Sequence, residues 1–329
     1  MIELVFCLTR RALVALICLA VISPPASAGA VKLGILKFGT VSWEADVIKQ
    51  HGLDKAEGID LQTVELANND AAAIALQAGS VDIIVTDWVW VSRERADGSP
   101  LTFVPYSTSI GSLMLPGDSA ITSLLGLEGR KLGIAGGPTD KSWLILRALS
   151  EQRHGFDLAD KVEKVFAAPP LLNEELVSHH LDAVLIYWNY AAQLEAQGFK
   201  KLISVEDAAK ELGLTTNVPM LGYVFDEGWA NAHQPDVLAF VHASRKAKEI
   251  LATSDTEWQR LRPLMKAADD ATFAALREGY RRGVPQHWGE GERADAARLF
   301  AIMVRLGGKD LVGRSNVLQP GTFWPAVTY

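Results

Sequence analysis

Apolar and polar positions alternate along this chain with two different periods, and the switches between them mark the elements. Val31-Lys32-Leu33-Gly34-Ile35-Leu36 alternates every second residue and ends at Gly39, whereas Val41 to His51 repeats at helical spacing and stops at Gly52. A strand that feeds a helix is predicted. Ile59 to Glu65 reads as the next strand, Ala71 to Ala78 as a helix closed by Gly79, and Val81-Asp82-Ile83-Ile84-Val85 as a short, nearly continuous apolar run. Such runs suit strands covered on both faces of a parallel sheet. Asp87 offers an N-cap carboxylate to a helix over Trp88 to Ala96, ended by Asp97-Gly98-Ser99-Pro100.

Strands at Leu101 to Ser107 and Leu113 to Leu115 lead to the break at Pro116-Gly117-Asp118, after which a second series starts with Lys131-Leu132-Gly133-Ile134-Ala135. Gly136-Gly137-Pro138-Thr139 introduces a helix from about Asp140 to Ser150. Val162 to Phe166 and Leu181 to Tyr187 read as strands, and Asn189 to Gln197 as a helix. Beyond Pro219 the pattern gives one more strand, Leu221 to Phe225, and then a helical tail from Gln234 to Leu306. The order is that of an α/β protein with mainly parallel sheets flanked by helices. No repeat, heptad run or low-complexity tract is visible.

The first residues change the picture. Arg10 and Arg11 precede the apolar run Ala12 to Ile22, which is shorter than the ~20 residues a spanning helix needs, and Ala26-Ser27-Ala28 follows with small side chains. This is the pattern of a signal peptide over residues 1–28, with cleavage expected after Ala28 and export to the periplasm. Both cysteines, Cys7 and Cys18, fall inside it, so the mature chain is expected to hold neither a disulfide nor a Cys-ligated metal. Removing Glu3, Arg10 and Arg11 moves the net charge from −7 to −8, an acidic balance that argues against nucleic acid as a partner. Roughly 300 mature residues exceed what one core usually serves, so two lobes are expected. The His residues are scattered, and the adjacent pair His179-His180 would point to different faces of a helix, so no metal site is expected.

Leu76-Gln77-Ala78-Gly79-Ser80-Val81-Asp82-Ile83, Leu127-Glu128-Gly129-Arg130-Lys131-Leu132-Gly133-Ile134 and Leu181-Asp182-Ala183-Val184 followed by Trp188 stand in an order and spacing that resemble the periplasmic substrate-binding proteins of ABC importers. The likeness is to the type II branch for nitrate, sulfonates, taurine and pyrimidine precursors of thiamine, and it covers nearly all of the mature chain. The resemblance implies a two-lobed protein joined by two crossovers near Leu113 to Pro116 and Asn217 to Tyr223. Lobe one would comprise residues 31–112 and 222–329, and lobe two residues 113–221. It also implies a ligand held where strand ends and helix starts of both lobes meet, an ABC permease and ATPase complex as partner, a monomer, and no required cofactor.

Four strand-to-helix junctions carry unusual residues, and five of the nine Trp fall in them: Thr40-Val41-Ser42-Trp43, Thr86-Asp87-Trp88-Val89-Trp90, Thr139-Asp140-Lys141-Ser142-Trp143 and Tyr187-Trp188-Asn189-Tyr190. Helix starts attract anions through free N–H groups, and Ser42, Thr139 and Ser142 add hydroxyl donors. Trp43, Trp88, Trp90, Trp143 and Trp188 could stack on a flat ligand, although core packing is the commoner fate of a single Trp. Lys141 puts a cation in a first helical turn, where the dipole disfavours it, so it calls for an anion; Arg93 is one turn from Trp90, and Asn189 follows Trp188. The expected ligand is thus a planar anion. One kind of member of the resembled family binds pyrroloquinoline quinone, a flat tricarboxylate with quinone carbonyls that would match Thr139 to Trp143. The alternatives are a sulfonate, nitrate or pyrimidine ligand, a periplasmic sensor role, or a pyrimidine-synthesising enzyme. That enzyme class depends on Cys, which the mature chain lacks, and no G-x-S-x-G, H-E-x-x-H or Walker A motif occurs.

Overall fold

The computed structural model describes residues 29–37 and 39–329, so the expected signal peptide lies outside the described residues. Among the described residues no helix is long and apolar enough to cross a membrane. The chain begins with β1 (Gly29–Leu36), α1 (Val41–Gln50), the single turn α2 (Leu53–Ala56) and β2 (Ile59–Leu66). Strands β1 and β2 pair in parallel, from Gly29 opposite Ile59 to Leu36 opposite Leu66. Helix α3 (Asn69–Gln77) then leads to β3 (Ile84–Asp87), α4 (Trp88–Ala96) and β4 (Leu101–Ser107). A parallel bridge between Leu33 and Ile83 joins β1 to the approach of β3.

After β4 the chain changes sheets. Strand β5 (Gly111–Leu115) opens the second unit, followed by β6 (Lys131–Ala135), α5 (Lys141–His154), β7 (Glu163–Ala167), α6 (Pro169–Val177), β8 (Ala183–Tyr187), α7 (Trp188–Ala196), β9 (Lys200–Ser204) and α8 (Val205–Glu211). The second sheet has the order β7-β6-β8-β5-β9, with β5 antiparallel to both neighbours. The chain then returns as β10 (Leu221–Asp226), which lies antiparallel between β3 and β4. With the bridge to β1, the first sheet reads β2-β1-β3-β10-β4, the same plan as the second. Helices α9 (Glu227–Ala232), α10 (Gln234–Thr253), α11 (Asp255–Met265), α12 (Asp270–Arg282) and α13 (Glu290–Val312) complete the chain.

The lobes carry a repeat that the sequence hides. Residues 76–90 and 176–190 play the same parts at an offset of 100, yet within them only the Leu, Asp and Trp of Leu76, Asp82, Trp88 and Leu176, Asp182, Trp188 agree. Asp82 Oδ2 accepts the N–H of Lys32 at 2.7 Å and Asp182 Oδ2 that of Lys131 at 2.8 Å, so each carboxylate ties the end of a crossover to the parallel strand beside it, β1 or β6. Gly79 and His179 both take the left-handed conformation at the turn before.

The structure places the two crossings between the lobes. The first change of sheet falls at 108–110 rather than Leu113 to Pro116, because Leu113, Met114 and Leu115 are buried members of β5 in the second sheet. The second falls between α8 and β10. Helix α13 does not belong to lobe one alone, since it packs on both α4 and α5. One continuous core therefore runs beneath both lobes and includes Trp88, Trp143, Leu144, Leu299, Phe300 and Met303. A separate core under the first sheet holds Trp43, Tyr223, Phe240 and Trp258.

Candidate functional site

The parallel strands of each lobe point their C-terminal ends at the other lobe, and the junction residues meet there. Asp87 caps α4 through Oδ1, which accepts the N–H of Trp90 at 2.8 Å. Its Oδ2 lies 2.8 Å from Lys141 Nζ at the start of α5, so this ion pair spans the lobes. Asp140 caps α5, its Oδ1 accepting from the N–H groups of Ser142 at 2.9 Å and Trp143 at 3.2 Å. Gly136, at φ 86°, permits this packing, since a Cβ there would sit 2.5 Å from Asp140 Oδ2 and 2.9 Å from Tyr187 Oη. Burial pushes the Asp140 carboxyl up against the pull of Lys141 and of the N–H groups it accepts. Burial, with Asp140 and Asp87 nearby, also raises the Tyr187 hydroxyl. The first-turn cation has found its anion within the chain, and Asp140 occupies the helix start that was expected to bind a ligand anion.

The expected aromatic walls divide into two groups. Trp88 and Trp143 are buried, Trp88 against Phe300 and Phe323 at centroid distances of 6.4 and 6.0 Å, and neither ring has surface to offer a ligand. Helix α13 covers α4 and α5 and draws these rings into the shared core. Trp43 is also buried, but it stands edge-on to Trp188 at 6.2 Å and to Trp258 at 6.0 Å, so it supports Trp188 from behind. Trp90 is half-buried against the shared core. Ser142 is buried, and the Ser42 hydroxyl donates to Gly39 O at 3.1 Å, so neither hydroxyl projects as a free donor. Thr139 and Asn189 are half-buried at their helix starts. Arg93 lies in the last turn of α4, away from the junction, with its stem against Gly313 and its nearest carboxylate, Glu94, at 3.9 Å. Of the eleven residues expected at the site, Trp188 alone lines the cavity that the structure forms between the lobes.

That cavity has a volume of about 450 Å3 and lies at the β4, β8 and β9 ends, within the ordinary range of ligand pockets. The β4-β5 crossing contributes Thr108 and Ser109, β5 contributes Ser112, α7 contributes Trp188 and Glu195, and β9 and α8 contribute Lys201, Ser204, Glu206, Asp207 and Lys210. Asn217 from the return crossing and Gly279 and Arg282 from α12 close it. The absent side chain at Gly279 matters, because a Cβ there would come 2.8 Å from the Trp188 ring. Lys201 pairs with Glu195 at 2.8 Å and Lys210 with Asp207 at 3.6 Å. Among the described residues Arg282 makes no ion pair. It is the cation with spare capacity. Glu206 Oε1 accepts the N–H of Ile110 at 2.7 Å, and burial raises its carboxyl although that N–H opposes the shift.

A second carboxylate holds the return crossing. Asp295 of α13 is buried, and its Oδ2 accepts the N–H and hydroxyl of both Thr215 and Thr216 at 2.7 to 3.0 Å. Burial works to raise this carboxyl, and the four hydrogen bonds together outweigh it and hold it low. None of the cavity residues from 108–112, 201–217 or 279–282 carried a sequence signal, because hydroxyls and charges at strand ends have no spacing of their own; the run Ser107-Thr108-Ser109 was the nearest to one.

Two α/β lobes of one plan, exchanging one antiparallel strand each across paired crossings and enclosing a ligand-sized cavity, define the periplasmic-binding-protein architecture. The model of the NMT1/THI5-like family matches residues 47–257, more than half of the chain, and the chain belongs to that family. A comparison with curated protein sequences finds no match. Among solved structures, the chain is similar to the alkanesulfonate-binding protein SsuA from Xanthomonas axonopodis pv. citri bound to MOPS, with 18% identity, a TM-score of 0.69, and 91% of this chain and 99% of that one covered. The periplasmic aliphatic sulphonate binding protein SsuA from Escherichia coli gives 17% identity, a TM-score of 0.70 and coverage of 91% and 92%. A ligand-binding component of an ABC-type import system from Staphylococcus aureus gives 15%, 0.64, and 91% and 99%. Identities this low speak for the fold.

Proposed function

We propose that this chain is the exported solute-binding component of an ABC importer and that it takes a small organic oxyanion, a sulfonate or carboxylate, in the interlobe cavity. One observation carries the reading. Arg282 reaches that cavity from lobe one without an ion pair, opposite hydroxyls of the crossing and of lobe two. A guanidinium in such a place binds an oxyanion in a fork, and the hydroxyls of Thr108 and Ser112, which line the same cavity, supply donors for its remaining oxygens. Trp188 offers one aromatic face to the rest of the ligand. The likeness in fold to the two sulfonate-binding SsuA proteins supports the oxyanion class and a binding role rather than an enzymatic one. Pyrroloquinoline quinone falls within this class. Its specific support is reduced, because stacking was expected from five Trp and Trp188 alone lines the cavity. A permease and ATPase complex would receive the loaded protein, and the periplasm is its expected place.

The test is titration calorimetry with short alkanesulfonates, their carboxylate counterparts and pyrroloquinoline quinone, on the mature chain and on Arg282→Gln. Removing a charge-assisted partner is expected to cost about 1.5 to 3 kcal/mol, roughly ten- to a hundredfold in affinity. Native mass spectrometry of protein exported into a periplasm would show what co-purifies. A neutral or cationic occupant, or unchanged oxyanion affinity in Arg282→Gln, would overturn the reading.

A further inference from the structure

Six charged side chains line the interlobe cavity, and four of them are matched within the chain: Lys201 by Glu195 at 2.8 Å and Lys210 by Asp207 at 3.6 Å. One charge of each sign is left. Among the described residues neither Arg282 of α12 nor Glu206 of α8 makes an ion pair, with the other or with any third group. They face one space from different lobes and stay out of ion-pair reach of each other. Two hydroxyls in the same lining, those of Thr108 and Ser112, belong to buried residues and have no hydrogen-bond partner among the described residues.

The two unmatched charges stand on different walls. A Cβ on Gly279 would come 3.9 Å from Arg282 Nη2 and 2.8 Å from the Trp188 ring, so the guanidinium and the ring share one wall. Thr108 belongs to that side, since its N–H donates to Gly283 O at 2.9 Å. Glu206 belongs to the β5-β9 wall, where Ser112 pairs with Ser204 and where Glu206 Oε1 accepts the N–H of Ile110 at 2.7 Å. Burial pushes the Glu206 carboxyl up, and the Ile110 N–H and the more distant Lys201 do not make good the lost water. A plain oxyanion on Arg282 would bring a second negative charge into this partly dry space, where like charges repel more strongly than in water. An ammonium at the other end of the ligand removes that repulsion and gives the carboxylate a charge-assisted donor.

We propose that Glu206 is a specificity-determining residue of the interlobe cavity and that the ligand is a zwitterion, an organic oxyanion with an ammonium at its far end. Arg282 holds the oxyanion and Glu206 the ammonium, so one ligand bridges the two lobes; this rests on the oxyanion reading of Arg282 given above. The probes are pairs of equal shape, γ-aminobutyrate with pentanoate and aminopropanesulfonate with butanesulfonate, titrated by calorimetry into the mature chain, Glu206→Gln and Arg282→Gln. In the parent the amino member of each pair is expected to bind about tenfold or more tightly than its methyl counterpart. Glu206→Gln keeps an oxygen for the Ile110 N–H and carries no charge, so the preference should vanish there, whereas Arg282→Gln should weaken both members. Circular dichroism checks that each variant is folded. Equal affinity within the pairs in the parent, with both members weakened in Arg282→Gln, would overturn this proposal and leave the oxyanion reading standing. A preference that survives in Glu206→Gln, or a loss shared equally by both members there, would make Glu206 a structural residue and overturn its assignment. If no oxyanion binds, or none responds to Arg282→Gln, the oxyanion reading fails and this proposal with it.

Discussion

Lys141 and Asp87 connect the two lobes directly, the ammonium at the start of α5 lying 2.8 Å from the carboxylate that caps α4. The pair bridges the lobes, and Asp87 offsets the unfavourable place of a cation in a first helical turn. Both side chains keep some contact with solvent, so the attraction is worth about 1 kcal/mol, or roughly a fivefold bias between closed and open lobes. Lys141→Ala leaves the cap on Trp90 intact and removes only the link. Small-angle scattering of the ligand-free protein should therefore show a larger mean radius for the variant than for the parent. An unchanged radius would mean that Trp188, lodged between Trp43 and Gly279, holds the lobes unaided.

Trp88 and Trp188 occupy equivalent junctions, yet they should respond to truncation in opposite ways. Trp88→Ala and Trp143→Ala empty space in the shared core and are expected to lose about 3 to 5 kcal/mol in urea unfolding. Trp188→Ala sits at the seam, so it should cost less stability and should weaken ligand binding and change the fluorescence response to ligand. Binding losses in Trp88→Ala equal to those in Trp188→Ala, with the fold intact, would place the ligand elsewhere.

Asp295 fastens the return crossing to α13, and its loss leaves two N–H groups and two hydroxyls without their acceptor. Asp295→Ala is expected to lose about 3 kcal/mol. The folded-state carboxyl is held below its ordinary value. Its contribution is therefore present above the unfolded pKa of ~3.9 and fades as pH falls through the lower folded value. The stability gap between parent and Asp295→Ala should narrow in acid. A gap independent of pH would mean that the carboxylate charge plays no part.

Glu206 shifts the other way. Its carboxyl is raised by burial, so the folded state holds the proton more tightly than the unfolded chain does. The stabilising contribution is then full below the unfolded pKa of ~4.3 and is lost as pH rises through the folded value. Glu206→Gln keeps an oxygen for the Ile110 N–H and carries no charge to bury. Relative to the parent, the variant should gain stability as pH rises from the unfolded pKa of ~4.3 through the higher folded value. Urea midpoints at both ends of that window check the sign, and a parent that gains on the variant as pH rises would contradict the assignment.

The element order was legible in the sequence because it is written locally. Asp87 can cap only the helix that follows it, and Lys131 to Ala135 and Leu101 to Ser107 occupy the expected positions as strands. Five elements were not read. Helix α6 begins with Pro169-Pro170, and α2, β9, α8 and α9 have four to seven residues, too short for a period to declare itself. The division between core Trp and cavity Trp had no local signature at all. Trp88 and Trp188 follow strands of the same kind and start helices of the same length, but α13 covers α4 while α12 covers α7. Which helix packs over a junction decides whether its ring enters the core or faces the seam. The cavity was invisible for the same reason: Ser109, Glu206 and Arg282 come from segments far apart in the chain, and only the two changes of sheet and the docking of α12 bring their charges and hydroxyls around one space. Local periodicity fixes what each segment becomes, and burial, a property of the assembled layers, fixes what each side chain can touch.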